Sequence, residues 1–370
     1  MTRSTCVVVA LAALLIAAPA RSQILVGQTA GFTGQTASNV KEITDGARLY
    51  LDAINAKGGV NGQAIELISM DDKFEPKLAA ENAKKLIIEK NVVTLFLTRG
   101  TPHTQAIMPL LAEYKVPLIA PSTGAMVLHK PVHPWVFNVR ATYQREAERA
   151  VQHLSTIGID RIGVIHVDDS FGADGAEGAK RGFTGAGKNP VFIEKYNREK
   201  WDFSTIAPLV VRAEVQAVLF IGTGTAVVDG IAAIRSAGSK AQVVTLSNNA
   251  SAGFVKALKD NARGTIVSQV FPSERALAVP MVREAHDLAL AKGMDGVSPA
   301  TLEGYAAAKV LVAGLKRAGA NPTRLKLQQA LDSMSKFDLG GLEVGYSPTD
   351  HTGLDFVDLS IIGPDGKFRR

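Results

Sequence analysis

The segment RIGVIHVDDSFG, Arg161–Gly172, sets the fold class. Ile162–Val167 is an apolar run with little polar alternation, the pattern of a strand buried on both faces. Asp168-Asp169 follows, a pair suited to ending a strand and capping the next helix. A helical pattern then fits 171–185. A buried strand that runs directly into a helix is the unit of a parallel α/β sheet, whose crossovers are right-handed.

The same alternation extends in both directions. Candidate strands are Ile24–Val26, Ile65–Ser69, Val92–Leu97, Pro117–Ala120, Ala217–Ile221, Val243–Leu246 and Thr265–Val270. Helical patterns fit 41–57, 76–89, 103–113, 142–155, 203–212, 225–236, 251–259, 275–292, 299–318 and 323–332. In the first of these, Ile43, Ala47, Tyr50 and Ile54 recur on one helix face, and Gly58-Gly59 ends it. The units divide into two groups of similar size. The expectation is an α/β protein of two Rossmann-like three-layer (αβα) domains joined by a three-segment hinge. Phe137–Arg140, Val270–Pro272 and Tyr346–His351 are the expected crossings. Lobe 1 is then 21–139 with 271–348, and lobe 2 is 140–270 with 349–370.

Composition narrows the function. Hydrophobic residues make up 46% of the 370 and charged residues 21%, enough for real cores and against disorder. Aromatics are only 6%, too few for a base-stacking surface. The net charge of +6 is spread out, its densest runs being the pairs Lys84-Lys85 and Arg369-Arg370, so no nucleic-acid partner is expected. Residues 1–20 read as a signal peptide: Arg3, an apolar run from Cys6 to Ala18, then Ala18-Pro19-Ala20. The run is short for a membrane span. Cys6 is the sole cysteine and leaves with the signal, so the mature chain has no thiol chemistry. The expected location is the periplasm.

In open α/β sheets ligands bind beyond the carboxyl ends of the strands, where the next helix presents free N–H groups. Five such junctions here carry small hydroxyl or amide residues: Thr98–Thr104, Pro121–Gly124, Asp168–Gly172, Gly222–Thr225 and Ser247–Asn249. If the two halves face each other, all five line one cleft. Other motifs fail on inspection. Gly222-Thr223-Gly224 begins like a dinucleotide fingerprint, but Val227 holds the third glycine position. Ser333-Met334-Ser335-Lys336 has an S-x-x-K spacing without its partner motifs. His129 and His133 are four apart, but Pro131 and Pro134 oppose a helix, and two solvated loop histidines are expected.

A set of phrases in order carries a family resemblance: NAKGGVNGQAIEL (55–67), DDKFEP (71–76), TQAIMPLLAEYKVPLIAPST (104–123), RIGVIHVDDSFG (161–172), DFSTI (202–206) and IRSAGSKAQ (234–242). Over essentially the whole mature chain, the sequence resembles a type I periplasmic binding protein of the leucine/isoleucine/valine-binding type. The resemblance implies a soluble solute-binding subunit of an ABC importer, with a small carboxylate ligand and a membrane permease as partners. It implies no catalysis and no cofactor, and a monomer is expected. Residue by residue, it implies that Thr101 grips the ligand carboxylate and that Ser122, Thr123 and Gly124 supply backbone groups to it. Phe171 stands where an aromatic closes over the ligand, and Thr223 near a second such aromatic. Ser247 stands where amino-acid binders place a glutamate for the α-ammonium, and Phe271 near a side-chain pocket at a hinge. Two positions often joined as cysteines in relatives read Phe74 and Gly100.

The departures point away from an amino acid. Ser247 carries no charge, and a buried ammonium without an anionic partner is costly. Arg99 adds a cation just before Thr101, read either as a ligand contact or as a surface ion pair. The expectation is a small carboxylate lacking the α-amino group, aromatic or short aliphatic. The alternative is that Asp229 or Asp169 replaces the missing acid and a branched amino acid binds. A ligand-sensing receptor domain and an α/β enzyme on the same fold are the competing classes.

Overall fold

A computed structural model describes residues 23–370. The signal-peptide reading of residues 1–20 lies outside the described residues. The first sheet holds β1 (Ile24–Ala30), β2 (Ile65–Asp71), β3 (Thr94–Phe96), β4 (Leu118–Ile119) and β5 (Val136–Phe137) in the order β2-β1-β3-β4-β5, all parallel. Between them run α1 (Ala37–Ala56), α2 (Pro76–Ile88) and α3 (Thr101–Tyr114). The chain moves one way across the sheet through α1 and the other way through α2 and α3. Right-handed crossovers therefore put α1 opposite α2 and α3, giving three layers.

The second sheet begins after α4 (Tyr143–Thr156). It contains β6 (Ile162–Val167), β7 (Ile193–Tyr196), β8 (Ala217–Ile221), β9 (Gln242–Thr245) and β10 (Ile266–Gln269), joined through α5 (Ser170–Gly185), α6 (Ile206–Arg212), α7 (Gly224–Ser236) and α8 (Ala252–Leu258). The chain then returns as α9 (Pro280–Ala291), α10 (Pro299–Ala318) and α11 (Arg324–Asp332), which pack into the first lobe's core, with a small hairpin of β11 (Phe337–Asp338) and β12 (Glu343–Val344). Finally β13 (Asp358–Ile362) and β14 (Phe368–Arg369) add two antiparallel strands to the second sheet, whose order is β14-β13-β10-β9-β8-β6-β7. The chain passes between sheets three times, after β5, after β10 and after β12.

Local chemistry fixes several of these elements. Asp169 caps α5, its carboxylate accepting from the N–H groups of Phe171 (2.9 Å) and Gly172 (3.0 Å). Asp71-Asp72 ends β2, but the N-cap of α2 is Glu75, with Pro76 at the first helical position. The expected helix over 275–292 starts at Pro280 for the same reason. Helices α1 and α10 pack through Gly46 and Gly304. A Cβ on Gly46 would lie 1.9 Å from Thr301 O, and one on Gly304 would lie 1.7 Å from Ile43 O. The two backbones are in direct contact.

Candidate functional site

The carboxyl ends of both sheets face one another, and the lobes touch across the gap. Arg99 Nη2 donates to Asn248 O at 2.8 Å, Gln35 Nε2 to Arg198 O at 3.2 Å, and Met126 N to Asp174 Oδ1 at 3.1 Å. Gly224, the first residue of α7, has φ +47°, and a Cβ there would come 1.9 Å from Gln35 O. Leu97 and Ala120 are also left-handed, with φ 51° and 52°. Both sit just past a strand end, where a bend carries Arg99 and Ser122 alongside each other in a continued parallel bridge.

A narrow cavity of about 10 Å³ lies between the lobes. Phe74, Arg99, Gly100 and Thr101 line it from the first lobe, and Tyr143, Phe171, Arg198 and Thr223 from the second. Phe171 meets Tyr143 edge-on at 4.7 Å between ring centres, and the Arg198 guanidinium lies 5.2 Å over the Phe74 ring. The wall is thus three aromatic rings and two guanidinium groups, with no Asp or Glu among its residues.

All nine residues expected at the site are buried. Arg99, Thr101, Phe171 and Thr223 line the cavity. Ser122, Thr123 and Gly124 lie behind them. Ser122 Oγ accepts from Arg99 Nη1 at 2.9 Å and donates to Glu303 at 2.7 Å, the Thr123 and Thr101 hydroxyls are 2.8 Å apart, and Gly124 O accepts from Tyr143 N at 2.8 Å. Ser247 lies deeper, its Oγ accepting from Arg140 Nη2 at 2.6 Å and its N–H donating to Glu146 at 2.8 Å. Phe271 packs in the first lobe's apolar core, away from the cavity wall. Phe74 and Gly100 are neighbours, a Cβ on Gly100 falling 3.0 Å from the Phe74 ring.

Arg99 is 2% exposed, so the surface-ion-pair reading is wrong. Among the described residues it donates to no carboxylate. Its partners are Ser122 O, Ser122 Oγ and Asn248 O, and burial presses its pKa down. Arg140 is buried too, yet it pairs with Glu146 and stands 3.9 Å from Glu303. Burial opposes its charge, but Tyr143, Glu146 and Glu303 outweigh that and raise its pKa. Asp169 is engaged by Arg198, and Asp229 is exposed and accepts from Trp201 Nε1 at 3.0 Å. Neither offers a free carboxylate to the cavity. His129 is 2% exposed rather than solvated, a correction that follows from the loop folding over Asn138, whose side chain holds Leu128 O at 2.8 Å.

Sequence reasoning missed Phe74 as a wall, Tyr143 and Arg198. Arg198 follows β7, whose sequence IEKY carries charges and gave no strand signal. Tyr143 is the first residue of α4, directly after a crossing between sheets, and that placement was a usable signal.

Two α/β lobes whose strand ends close over a small lined cavity define a solute receptor. The chain belongs to the periplasmic binding protein family, whose model matches residues 23–356. It is similar to the Leu/Ile/Val-binding protein BraC3 of Rhizobium johnstonii, 26% identical over 323 residues and covering 86% of each chain. Among solved structures it is similar to a substrate-binding periplasmic protein from Ralstonia solanacearum, with 31% identity, TM-score 0.86 and coverage of 94% of this chain and 99% of that one. A possible leucine/isoleucine/valine-binding protein from Rhodopirellula baltica matches at 26% identity and TM-score 0.88, over 95% and 97% of the two chains. These relatives are binding proteins, not enzymes. Among the described residues no helix is long and apolar enough to cross a membrane.

Proposed function

We propose that this protein captures a small carboxylate without an α-ammonium, an aromatic acid before a short aliphatic one, and delivers it from the periplasm to an ABC import permease. The carrying observation is the cavity wall. Arg99 and Arg198 face the space, and Arg99 has only neutral acceptors. A ligand carboxylate would supply the missing counter-charge through charge-assisted bonds. Three aromatic rings suit a flat apolar body. Ser247, where an amino-acid binder would hold the ammonium, is instead turned to the Arg140 cation. Thr101, backed by the 122–124 loop, forms the floor, Phe171 and Thr223 the roof, and closure selects the form in which both lobes touch the ligand.

The named relatives support a second reading, a branched-chain amino acid. Calorimetry with benzoate and with leucine separates the two. The expected result is benzoate binding with leucine undetectable, and an Arg99→Met variant that loses benzoate affinity about 10- to 100-fold, as for a charged hydrogen bond. Tight leucine binding without benzoate binding overturns the proposal.

A further inference from the structure

Arg99 stands in two walls. One is the aromatic cavity; the other belongs to a second interlobe chamber of about 90 Å³. Gln35 and Asn39 line this chamber from the first lobe, and Thr225, Val228 and Asn248 from the second. Its polar atoms are unbalanced. Asn248, 2% exposed, donates its Nδ2 to Gly222 O at 2.8 Å, and its buried Oδ1 has no hydrogen-bond partner among the described residues. Gln35 repeats the pattern: Nε2 donates to Arg198 O, while its buried Oε1 is unpartnered. Since each amide nitrogen is held by a carbonyl, both free atoms are acceptors. Asn39 Oδ1 is likewise unpartnered in a residue 6% exposed. On the donor side, Arg99 Nε is buried and unpartnered.

Buried polar groups in proteins are normally satisfied, so a cluster of unmet acceptors beside an unmet donor marks a place for a matching group. An ammonium would answer the acceptors but not the guanidinium, and a carboxylate the reverse. A hydroxyl does both, donating to an amide oxygen and accepting from a guanidinium N–H. We infer that the second chamber holds the hydroxyl-bearing end of the ligand, so that the receptor takes a hydroxylated carboxylic acid in preference to a bare one. This rests on the carboxylate reading of the preceding subsection and narrows it.

Calorimetry with matched probes tests it: 4-methylbenzoate against 4-(hydroxymethyl)benzoate, and 4-ethylbenzoate against 4-(2-hydroxyethyl)benzoate. The expected result is at least tenfold tighter binding of the hydroxylated member in one or both pairs. Asn39→Leu, which removes an acceptor, and Val228→Phe, which fills the chamber from the other lobe, should each cut that preference to under threefold. Equal binding within both pairs, or a preference that both variants keep, means that the chamber holds only solvent; the inference then fails and the carboxylate reading stands. If no benzoate binds and leucine does, both fall.

Discussion

Arg99 and Arg140 are both buried, yet their surroundings treat their charges differently. Removing a cation from water costs several kcal/mol. Arg140 recovers this from Glu146, while Arg99 has only carbonyl and hydroxyl dipoles. The contrast supports the proposal in which Arg140 holds the site's frame and Arg99 meets the ligand. Burial disfavours the charged form of His129 as well; it has no hydrogen-bond partner among the described residues, and its pKa is pushed down to about 4. Its folded pKa lies below the unfolded value of 6.5. The stability it contributes is therefore complete above 6.5 and is lost as pH falls toward 4. At pH 5 the loss is on the order of 2 kcal/mol. Asp72 and Asp174, pushed up to about 6 by burial, work in the other direction, so the whole protein's pH profile is a poor readout of one histidine. Comparison with His129→Leu isolates it. Urea midpoints at pH 7.5 and 5 should drop further in the parent than in the variant, and equal drops would show that His129 does not titrate as a buried neutral group. The residues legible from sequence alone were those in strand-to-helix junctions, Arg99, Thr101, Phe171 and Thr223. What was not legible was which of two neighbouring hydroxyls faces the cavity and which, like Ser122 and Ser247, turns its oxygen to an arginine behind it.

At the scale of elements, strands that are apolar throughout announced themselves and edge strands did not. Ile162–Val167 and Ala217–Ile221 are central strands and match their expected bounds. In contrast β7, β13 and β14 lie at the margins of the second sheet, where one face or edge meets water and charged residues are tolerated, so a search for continuous apolar runs passed over them. β5 is two residues long and was read as part of a crossing. The helices were legible, but the closeness of one helix pair was not. Contact between α1 and α10 depends on the absence of side chains at Gly46 and Gly304, and periodicity says nothing of which glycines meet a backbone. Gly304→Ala would set a methyl 1.7 Å from Ile43 O. The helices must separate, and overpacking of this kind costs about 1–3 kcal/mol or more. Ala is the better helix former, so propensity alone would predict a gain of up to about 1 kcal/mol. The sign of the change in the urea midpoint decides between the two, and a stabilised variant would mean that the helices are further apart than described.

For the whole molecule, the proposed capture depends on two lobes closing over the cleft. Arg99 to Asn248, Gln35 to Arg198 and Met126 to Asp174 are hydrogen bonds that join the lobes, and on this proposal they would form on closure. Binding affinity includes the free energy of reaching it, because a receptor that is rarely closed binds with its intrinsic affinity reduced by the closed fraction. Gly224 is a point of close approach between the lobes, since a Cβ there would lie 1.9 Å from Gln35 O. Gly224→Ala should block full closure. It also places an L-residue at φ +47°, a strain that lowers stability whether or not the lobes meet. Gly238→Ala separates the two effects, since Gly238 has φ +91° with nothing within 4 Å of its Cβ position. The measurements are small-angle scattering with and without a bound acid, and calorimetry of the same samples. The parent and Gly238→Ala should both contract on binding and hold the ligand with similar affinity. Gly224→Ala should stay at the unliganded radius and bind at least tenfold more weakly, about 1.4 kcal/mol. If Gly224→Ala contracts as the parent does and keeps its affinity, the contact between α7 and the Gln35 loop is incidental, and closure is governed elsewhere along the three connections between the sheets.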